Sequence, residues 1–293
     1  MRSATDVISG SRGMVVTDLD GTLRSSDGRI SETDLRTLRD LGAKGYLRAI
    51  ATGRSLYSLW KIKEKDHLPI DYVIFSSGAG IFDYQSKKII RKALLEAGKV
   101  KKAARLLAEL NLDFMIHLPI PDNHHFIYYE SGRKTEDFGS RRRLYKDVSS
   151  PFDGNFDKLG PGTQLIAIVS HSPSKSQVTA ASVFEQITRA LEGFAVIRTT
   201  SPLDGQSTWI EIFPKGVNKG CTTEWLAKAQ GLVSTDVLSI GNDYNDLDLL
   251  EWAGTSFVVA NAPPELKMRF DTVPSNDANG LSEAVRRWLS TKS

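Results

Sequence analysis

Short apolar runs alternate with segments of helical periodicity in the N-terminal part of the chain and again after residue 214. This alternation predicts an α/β fold with a doubly wound, mainly parallel sheet, because each helix returns the chain to the start of the next strand. The predicted strands are 14–17, 46–51, 72–75, 237–240 and 257–259, and the predicted helices are 31–41, 56–63, 219–229, 245–252 and 281–289.

The pattern changes between residues 85 and 213. Five apolar residues recur there at helical spacing, and the same region contains several short extended segments and a second predicted helix at 174–191. The spaced apolar residues are Val100, Ala103, Ala104, Leu107 and Leu110, and the extended segments are 114–118, 125–129, 164–169, 209–213 and one near Val196. We therefore expect residues 1–84 and 214–293 to form one core domain, into which residues 85–213 insert a separate α+β domain.

Composition narrows the class of protein. Hydrophobic residues make up 40% and charged residues 25% of the 293 residues, which is ordinary for a globular protein. The net charge of +3 is too small to indicate nucleic acid or an anionic membrane as a partner. Cys221 is the only cysteine, which excludes an intrachain disulfide. The first thirteen residues lack the apolar core of a signal peptide, so we expect a cytoplasmic protein.

The first polar cluster follows the strand predicted at 14–17 and contains Asp18 and Asp20 in the sequence DLDGT. Residues i and i+2 of an extended segment project to the same side, so both carboxylates reach one spot at the carboxyl end of a strand. A hard cation with oxygen ligands would relieve their mutual repulsion and their repulsion of a phosphate. Gly21 permits a sharp turn and a close approach of backbone N–H groups to an anion. Taken alone, the cluster is equally compatible with a solvated Asp-Gly turn.

Three further clusters have the same kind of position. Thr52-Gly53-Arg54 opens a predicted helix, where a hydroxyl and N–H groups can bind phosphate, although Thr is also a common N-cap. Lys219 begins another helix and can neutralise a phosphate or carboxylate, although most helical lysines are solvated. Residues 241–246, with the sequence GNDYND, offer metal and phosphate ligands or form a capped polar turn. One sheet would bring all four clusters together along its carboxyl edge.

The order of these residues resembles the phosphatases of the haloacid dehalogenase (HAD) superfamily. The resemblance is carried by Asp18-x-Asp20-x-Thr22, Thr52, Lys219 and Gly241-x-x-x-Asn245-Asp246. The insertion at 85–213 resembles, in size and position, the type IIB cap of the Cof-like subfamily. Residues 258–262 and 275–276 resemble the C-terminal region of that subfamily. The resemblance implies a HAD-like Rossmannoid catalytic core and an inserted cap that sets substrate specificity.

The resemblance also implies a role for each residue. Asp18 would be the nucleophile that forms an aspartyl-phosphate, and Asp20 the general acid and base. The residues implied for substrate binding are Thr52, Gly53, Lys219 and Asn245. Magnesium would bind Asp18, the backbone carbonyl of Asp20 and residue 242.

One position departs from the family pattern. The family usually has Asp where this chain has Asn242. An amide oxygen can coordinate magnesium but brings no negative charge, so we expect weaker metal binding. Asp243 and Asp246 are alternative ligands, either directly or through water.

These features together predict a magnesium-dependent phosphomonoester hydrolase that acts on a small phosphorylated metabolite, and the resemblance to the family implies a sugar phosphate as first choice. A phosphomutase of the same superfamily and a weakly catalytic sensor of phosphorylated ligands are the alternatives. Candidate substrate contacts in the inserted domain are His124, His125 and the loop 201–207. Residues 141–143, three consecutive arginines, are predicted to be a solvated helix face rather than a nucleic-acid site.

Overall fold

The computed structural model describes residues 10–62, 68–133, 135–169 and 179–292. It divides the chain into two compact units, the first comprising Met1–Lys92 and Asn218–Ser293 and the second comprising Ala93–Val217. None of the helices in the described residues is long and apolar enough to cross a membrane.

The strands and helices alternate along the chain. The strands are β1 (Met14–Thr17), β2 (Leu47–Ala51), β3 (Tyr72–Phe75), β4 (Gly80–Asp83), β5 (Lys88–Lys92), β6 (Asp113–His117), β7 (Phe126–Tyr129), β8 (Ser149–Pro151), β9 (Gln164–Val169), β10 (Phe194–Thr200), β11 (Thr208–Pro214), β12 (Val237–Gly241), β13 (Thr255–Val259) and β14 (Asp271–Val273). The α-helices are α1 (Glu32–Ala43), α2 (Leu56–Leu59), α3 (Ala97–Glu109), α4 (Glu136–Leu144), α5 (Ala180–Ala190), α6 (Lys219–Ala229), α7 (Leu247–Trp252), α8 (Pro264–Lys267) and α9 (Gly280–Ser290).

The first unit is built on an eight-stranded sheet with the strand order β14-β13-β12-β1-β2-β3-β4-β5. Strands β14 to β3 in that order are parallel, and β4 and β5 continue the sheet as antiparallel neighbours. β1 lies in the middle, between β2 and β12. The predicted fold class, α/β with a mainly parallel sheet, is confirmed.

Side chains on the two faces of this sheet pack against different helices. Met14 and Val16 belong to a buried cluster with Leu226 of α6 and Leu249 of α7. Because side chains alternate along a strand, the neighbouring positions face the other side, where Trp288 of α9 packs. There a Cβ added to Gly13 would lie 3.2 Å from the Trp288 ring. Helices therefore cover both faces of the sheet, so a functional site is expected among the loops at the strand ends.

The second unit contains a six-stranded sheet with the strand order β10-β11-β9-β6-β7-β8. All pairings are antiparallel except that of β7 with β8. α3 and α5 pack on one face, through a cluster that includes Val100, Leu107 and Ile187. The alternate side chains of the same strands face the other side of the sheet. There Phe138 of α4 packs in a smaller cluster that includes Met115 of β6.

The boundaries between the units differ from the expected ones, which lay at residues 84/85 and 213/214. β5 pairs with β4, and this places the chain up to Lys92 in the first unit. The short strand has a lysine at each end and partly exposed isoleucines, so it carries little apolar signal. At the other boundary the second unit continues through Val217.

Several elements also differ from the predicted ones. α2 ends at Leu59, and Lys63 lies outside the described residues. α5 begins after its N-cap Thr179, and residues 174–178 of the predicted helix lie outside the described residues. α7 begins at Leu247, preceded by a 3-10 turn. Elements β5, β8, α8 and β14 were not predicted, since each is short or strongly polar.

The prediction of a solvated face at residues 141–143 is wrong for Arg141. Its Nε atom is buried, and its guanidinium carbon lies 3.8 Å from the Tyr145 ring centroid and 5.3 Å from that of Trp209. Burial lowers the pKa of Arg141, while neighbouring carboxylates oppose the shift. Arg142 and Arg143 form ion pairs with glutamates at the surface.

Candidate active site

The carboxyl end of β1 positions the first aspartate. The backbone N–H of Asp18 donates to Ile240 of β12 at 2.9 Å, which continues the β1–β12 pairing one residue beyond the strand. Lys219 is the first residue of α6, whose N-cap Asn218 accepts from the Cys221 N–H at 2.6 Å. The sheet edge and the start of α6 thus bring residues 201 positions apart into one cluster.

Lys219 lies fully buried between two carboxylates. Its Nζ atom is 2.7 Å from Asp18 Oδ1, 2.6 Å from Asp246 Oδ1 and 3.4 Å from Asn245 Oδ1. An ammonium has three N–H donors, and these contacts use all of them. Burial raises the pKa of Asp18 to about 7, and the neighbouring ammonium opposes that rise. Burial alone would lower the pKa of Lys219, but the two carboxylates outweigh it and raise that pKa.

Asp246 organises the loop that follows β12. Its Oδ2 atom accepts from the backbone N–H of Asn242 at 2.8 Å and of Asp243 at 3.0 Å. The Asp246 N–H in turn donates to the backbone carbonyl of Asp243 at 3.0 Å. Gly241 is required here, because an added Cβ would lie 2.6 Å from the Asp246 Cβ. Both oxygens of Asp246 are therefore engaged within the protein, one by Lys219 and one by backbone N–H groups.

Asn242 is the residue of this loop whose side chain lies next to the first aspartates. One atom of its amide is 3.2 Å from Asp18 Oδ2, 3.2 Å from the backbone oxygen of Asp20 and 3.0 Å from Thr22 Oγ1. Gly21 permits this approach: its φ is +78°, and an added Cβ would lie 2.7 Å from the same amide.

The donor set around Asn242 fits a small divalent cation. With its Nδ2 atom toward the aspartates, the amide donates hydrogen bonds to both oxygens. With its Oδ1 atom toward them, a carboxylate, a carbonyl and an amide oxygen converge, and oxygens of these types are what magnesium prefers. Over the described ranges, no three His, Cys, Asp or Glu side chains are grouped to hold a metal ion. A metal site at this position would therefore use oxygen atoms of three kinds: a carboxylate, a backbone carbonyl and a side-chain amide.

The Thr52 cluster differs in detail from its prediction. α2 begins only at Leu56 with Ser55 as its N-cap, so Thr52 does not open the helix. Thr52 is buried instead, and its hydroxyl accepts from the Arg54 N–H at 3.1 Å. The exposed Gly53 lies beside two polar side chains, because an added Cβ would be 3.5 Å from Ser77 Oγ and 3.7 Å from Asn245 Nδ2.

Ser77 belongs to a strained segment that sequence reasoning did not single out. Ser76 and Ser77 have φ values of 48° and 51°, and Gly78 follows with 105°. Left-handed conformations in non-glycine residues cost free energy and concentrate at functional sites. α6 holds the segment in place, since Thr222 Oγ1 donates to the Gly78 carbonyl at 2.8 Å. The sequence SSG between two strands is typical of an ordinary turn, so it gave no signal.

Asp20 binds two arginines. Arg54 donates from Nε to Asp20 Oδ2 at 2.5 Å and from Nη2 to Asp20 Oδ1 at 2.8 Å. Arg24 donates from Nη1 to Asp20 Oδ1 at 3.4 Å. Sequence reasoning named neither arginine as a site residue, although Arg54 directly follows Thr52 and Gly53 in the chain.

The candidate contacts of the second unit lie in two turns. His124 and His125 precede β7, with ring centroids 4.2 Å apart. His125 lines a cavity of about 260 Å³ together with Asp147, Ser149 and other residues near β7 and β8. The turn at 201–207 is stabilised from within, because Ser207 Oγ donates to Asp204 at 2.5 Å.

Comparison with known proteins identifies the family. Residues 15–285 match the haloacid dehalogenase-like hydrolases. The chain is 25% identical over 280 residues to an HMP-PP phosphatase of Yersinia enterocolitica, with 94% of each chain covered. The structure resembles a phosphatase of the haloalkanoate enzyme superfamily from Bacteroides thetaiotaomicron, with a TM-score of 0.74, 21% identity and coverage of 98% of this chain and 99% of that one. It also resembles a HAD subclass IIB sugar phosphatase, with a TM-score of 0.71, 19% identity and coverage of 94% and 98%.

The chain therefore belongs to the haloacid dehalogenase-like hydrolase family, as its sequence motifs predicted. It is an enzyme of a family whose members include phosphatases.

Proposed function

We propose that this chain is a magnesium-dependent phosphomonoester hydrolase that transfers the phosphoryl group through Asp18. The observation that carries the proposal is the buried Lys219, which is bound to Asp18 and Asp246 at 2.7 and 2.6 Å. Enclosing an ammonium between two carboxylates is costly unless the geometry is good, so such a cluster at the carboxyl edge of the sheet favours a catalytic role.

In the first step, one oxygen of the Asp18 carboxylate attacks phosphorus and the bond from phosphorus to the ester oxygen breaks. The departing oxygen takes a proton from Asp20, which acts as general acid. An aspartyl-phosphate and a free alcohol result. Lys219 favours the ionised form of Asp18 and so opposes the effect of burial on its pKa.

In the second step, a water molecule attacks the phosphorus of the aspartyl-phosphate, and Asp20 accepts the proton that the water loses. The bond between phosphorus and the Asp18 oxygen breaks, which regenerates the carboxylate and releases inorganic phosphate. The phosphoryl oxygens would be bound by donors near Gly53, including the Asn245 amide and the Thr52 segment, while Lys219 would offset their negative charge.

Magnesium would be held by the oxygens of Asp18, the Asp20 carbonyl and Asn242, since the first two each lie 3.2 Å from the same atom of the Asn242 amide. When bound there, the ion would offset the negative charge shared by the phosphoryl group and Asp18. The full hydrogen bonding of Asp246 favours Asn242 over Asp246 as the ligand.

The substrate would be a small phosphorylated metabolite, with a sugar phosphate as first choice. The relatives named as an HMP-PP phosphatase and a sugar phosphatase support this class. We assign the inserted unit the role of a cap that sets substrate choice, with His124, His125 and the turn at 201–207 as candidate contacts. The mild net charge of +3 agrees with a small-molecule substrate rather than nucleic acid.

A phosphate-release screen over many phosphomonoesters, with and without magnesium, tests the proposal. We expect magnesium-dependent release from several esters by the wild type and none by Asp18→Asn. A phosphomutase would require a bisphosphorylated activator and would release no phosphate. A sensor would show ligand-induced thermal stabilisation without release. Either of these outcomes would replace the hydrolase proposal.

A further inference from the structure

The carboxylate of Asp20 lies between two guanidinium groups. Arg54 binds both of its oxygens, at 2.5 and 2.8 Å, and Arg24 binds Oδ1 at 3.4 Å. Asp20 is therefore an acceptor that both guanidinium groups share. All three are partly exposed, with 40% of the Asp20 side chain accessible, so a ligand can reach them from solvent.

Arg24 is held in place by the turn that follows it. Its Nε atom donates to the Gly28 carbonyl at 2.7 Å, and its backbone N–H donates to Leu19 at 2.8 Å. The side-chain amide of Asn276 donates to the Arg24 carbonyl at 3.1 Å. A Cβ on Gly28 would lie 2.9 Å from Arg24 Nη2, so the turn fits closely around the guanidinium. This positive charge is therefore built into the loop and does not belong to a mobile surface arginine.

Asp20 cannot act as an acid in this arrangement without releasing an oxygen. Under the proposed function, one of its oxygens must carry the proton that goes to the departing ester oxygen. Both oxygens accept hydrogen bonds from guanidinium groups here. A second anion that bound the two arginines would compete for these donors, free an oxygen of Asp20 and keep the cations paired.

We infer that the preferred substrates carry a second anionic group, a carboxylate or another phosphate, on the leaving group, and that this group binds Arg24 and Arg54. This inference rests on the proposed hydrolase function and narrows its substrate class. The bonds broken and formed at phosphorus stay the same. The second anion only recognises the arginines and frees Asp20.

The test uses pairs of esters that differ in one anionic group. Glycerol 3-phosphate is compared with 3-phosphoglycerate for the carboxylate, and fructose 6-phosphate with fructose 1,6-bisphosphate for the second phosphate. Initial rates of phosphate release with magnesium give kcat/KM for each ester. In at least one pair, we expect the ester with the additional carboxylate or phosphate to have a kcat/KM about tenfold or more above its partner in the wild type, since charge-assisted hydrogen bonds discriminate by this order.

Arg24→Gln should reduce that ratio about tenfold, and Arg24→Lys should retain most of it because the charge remains. Arg29→Gln is the matched control: it removes an exposed arginine of the same turn, which pairs with Asp27, and should leave the ratio unchanged. Thermal melting verifies that each variant is folded. Should Arg24→Gln not fold, the wild-type ratios alone decide.

Wild-type ratios near one, or an unchanged ratio in folded Arg24→Gln, would overturn the inference while the hydrolase function stands. An absence of phosphate release from every ester would overturn both. The two pairs also distinguish the sources of the anion, because a preference confined to one pair identifies the carboxylate or the phosphate as the group recognised.

Discussion

Two groups of charged side chains lie at the carboxyl end of β1, and they differ chiefly in exposure. In the first, Lys219 is fully buried and the Asp18 side chain is 8% exposed. In the second, the side chains of Arg54 and Asp20 are 29% and 40% exposed. The two aspartates are only two residues apart in the chain, yet one faces the protein interior and the other faces water.

This difference in exposure suits the two groups to different roles in the proposed reaction. Charges removed from water interact strongly and are costly to separate, so the buried group holds one geometry. Charges near water are screened, and their ion pairs contribute little to stability. The exposed group can therefore exchange partners at small cost, which suits a residue that must give and take a proton. The buried group suits a nucleophile that must stay in place.

The largest effect is expected at Asp18, the proposed nucleophile in the buried group. Asp18→Asn should lower turnover at least about a thousandfold, since removal of a covalent nucleophile has effects of this size or more. The fold should survive, because Lys219 keeps Asp246 as its partner. Phosphate release gives the rate, and circular dichroism melting verifies the fold. A folded variant with a tenth or more of the wild-type rate would rule out Asp18 as the nucleophile.

A change at Asp20, the proposed general acid in the exposed group, should give a smaller effect that depends on the leaving group. Asp20→Asn should lower the rate on an alkyl phosphate by about 100- to 10,000-fold, the usual value of general acid–base help. The loss should be smaller with p-nitrophenyl phosphate, whose leaving group needs less protonation. Mass spectrometry of the quenched reaction should then detect a phosphorylated protein, because the second step still lacks its base. Equal rates for variant and wild type on the alkyl ester would mean that the acid lies elsewhere.

Stability measurements test the same contrast without activity. Lys219→Met leaves two buried carboxylates without their cation and should lower the free energy of unfolding by about 3–5 kcal/mol. Arg54→Met breaks an ion pair near the surface and should cost about 0–1 kcal/mol. Urea unfolding of Lys219→Met and Arg54→Met under the same conditions gives both changes in the free energy of unfolding. Similar losses in the two variants would show that exposure does not separate the two groups.

Sequence reasoning reached the buried group more readily than the exposed one. Every residue of the buried group stands next to a predicted strand or at the start of a predicted helix: Asp18 follows β1, residues 241–246 follow β12 and Lys219 begins α6. Parallel strands of one sheet end at a common edge. Topology alone therefore brought them together. The fold class followed in the same way, because strand–helix alternation is a local pattern repeated along the chain.

The remaining features depend on contacts that no local pattern encodes. Arg54 reaches Asp20 across 34 residues, and nothing in the sequence distinguishes it from a solvated arginine. Ser77 adopts a left-handed conformation because its segment is held against α6, which a serine-rich turn does not indicate. The Arg141 guanidinium packs against aromatic rings from distant strands, Phe126 of β7 and Trp209 of β11. Side-chain partners of this kind need the folded coordinates.

The smallest expected effect concerns Asn242, which lies between the two groups and touches both aspartates. Asn242→Asp adds a negative charge 3.2 Å from Asp18 Oδ2 and removes an amide donor. Without magnesium the variant should therefore melt at a lower temperature than the wild type, because two carboxylates repel each other. With magnesium the order should reverse, since a second carboxylate ligand tightens binding, here by about tenfold.

Two measurements verify this: melting temperature across a magnesium titration, and phosphate release at low magnesium, which should be kept or raised. Asp243→Ala is the control from the same loop. The Asp246 N–H donates to the backbone carbonyl of Asp243, which alanine keeps, so Asp243→Ala should do only modest harm. If Asp243 were the ligand instead, Asp243→Ala would abolish the magnesium-dependent stabilisation and Asn242→Asp would change little. The magnesium concentration at which the two melting curves cross then measures how far the missing charge at residue 242 weakens the proposed metal site.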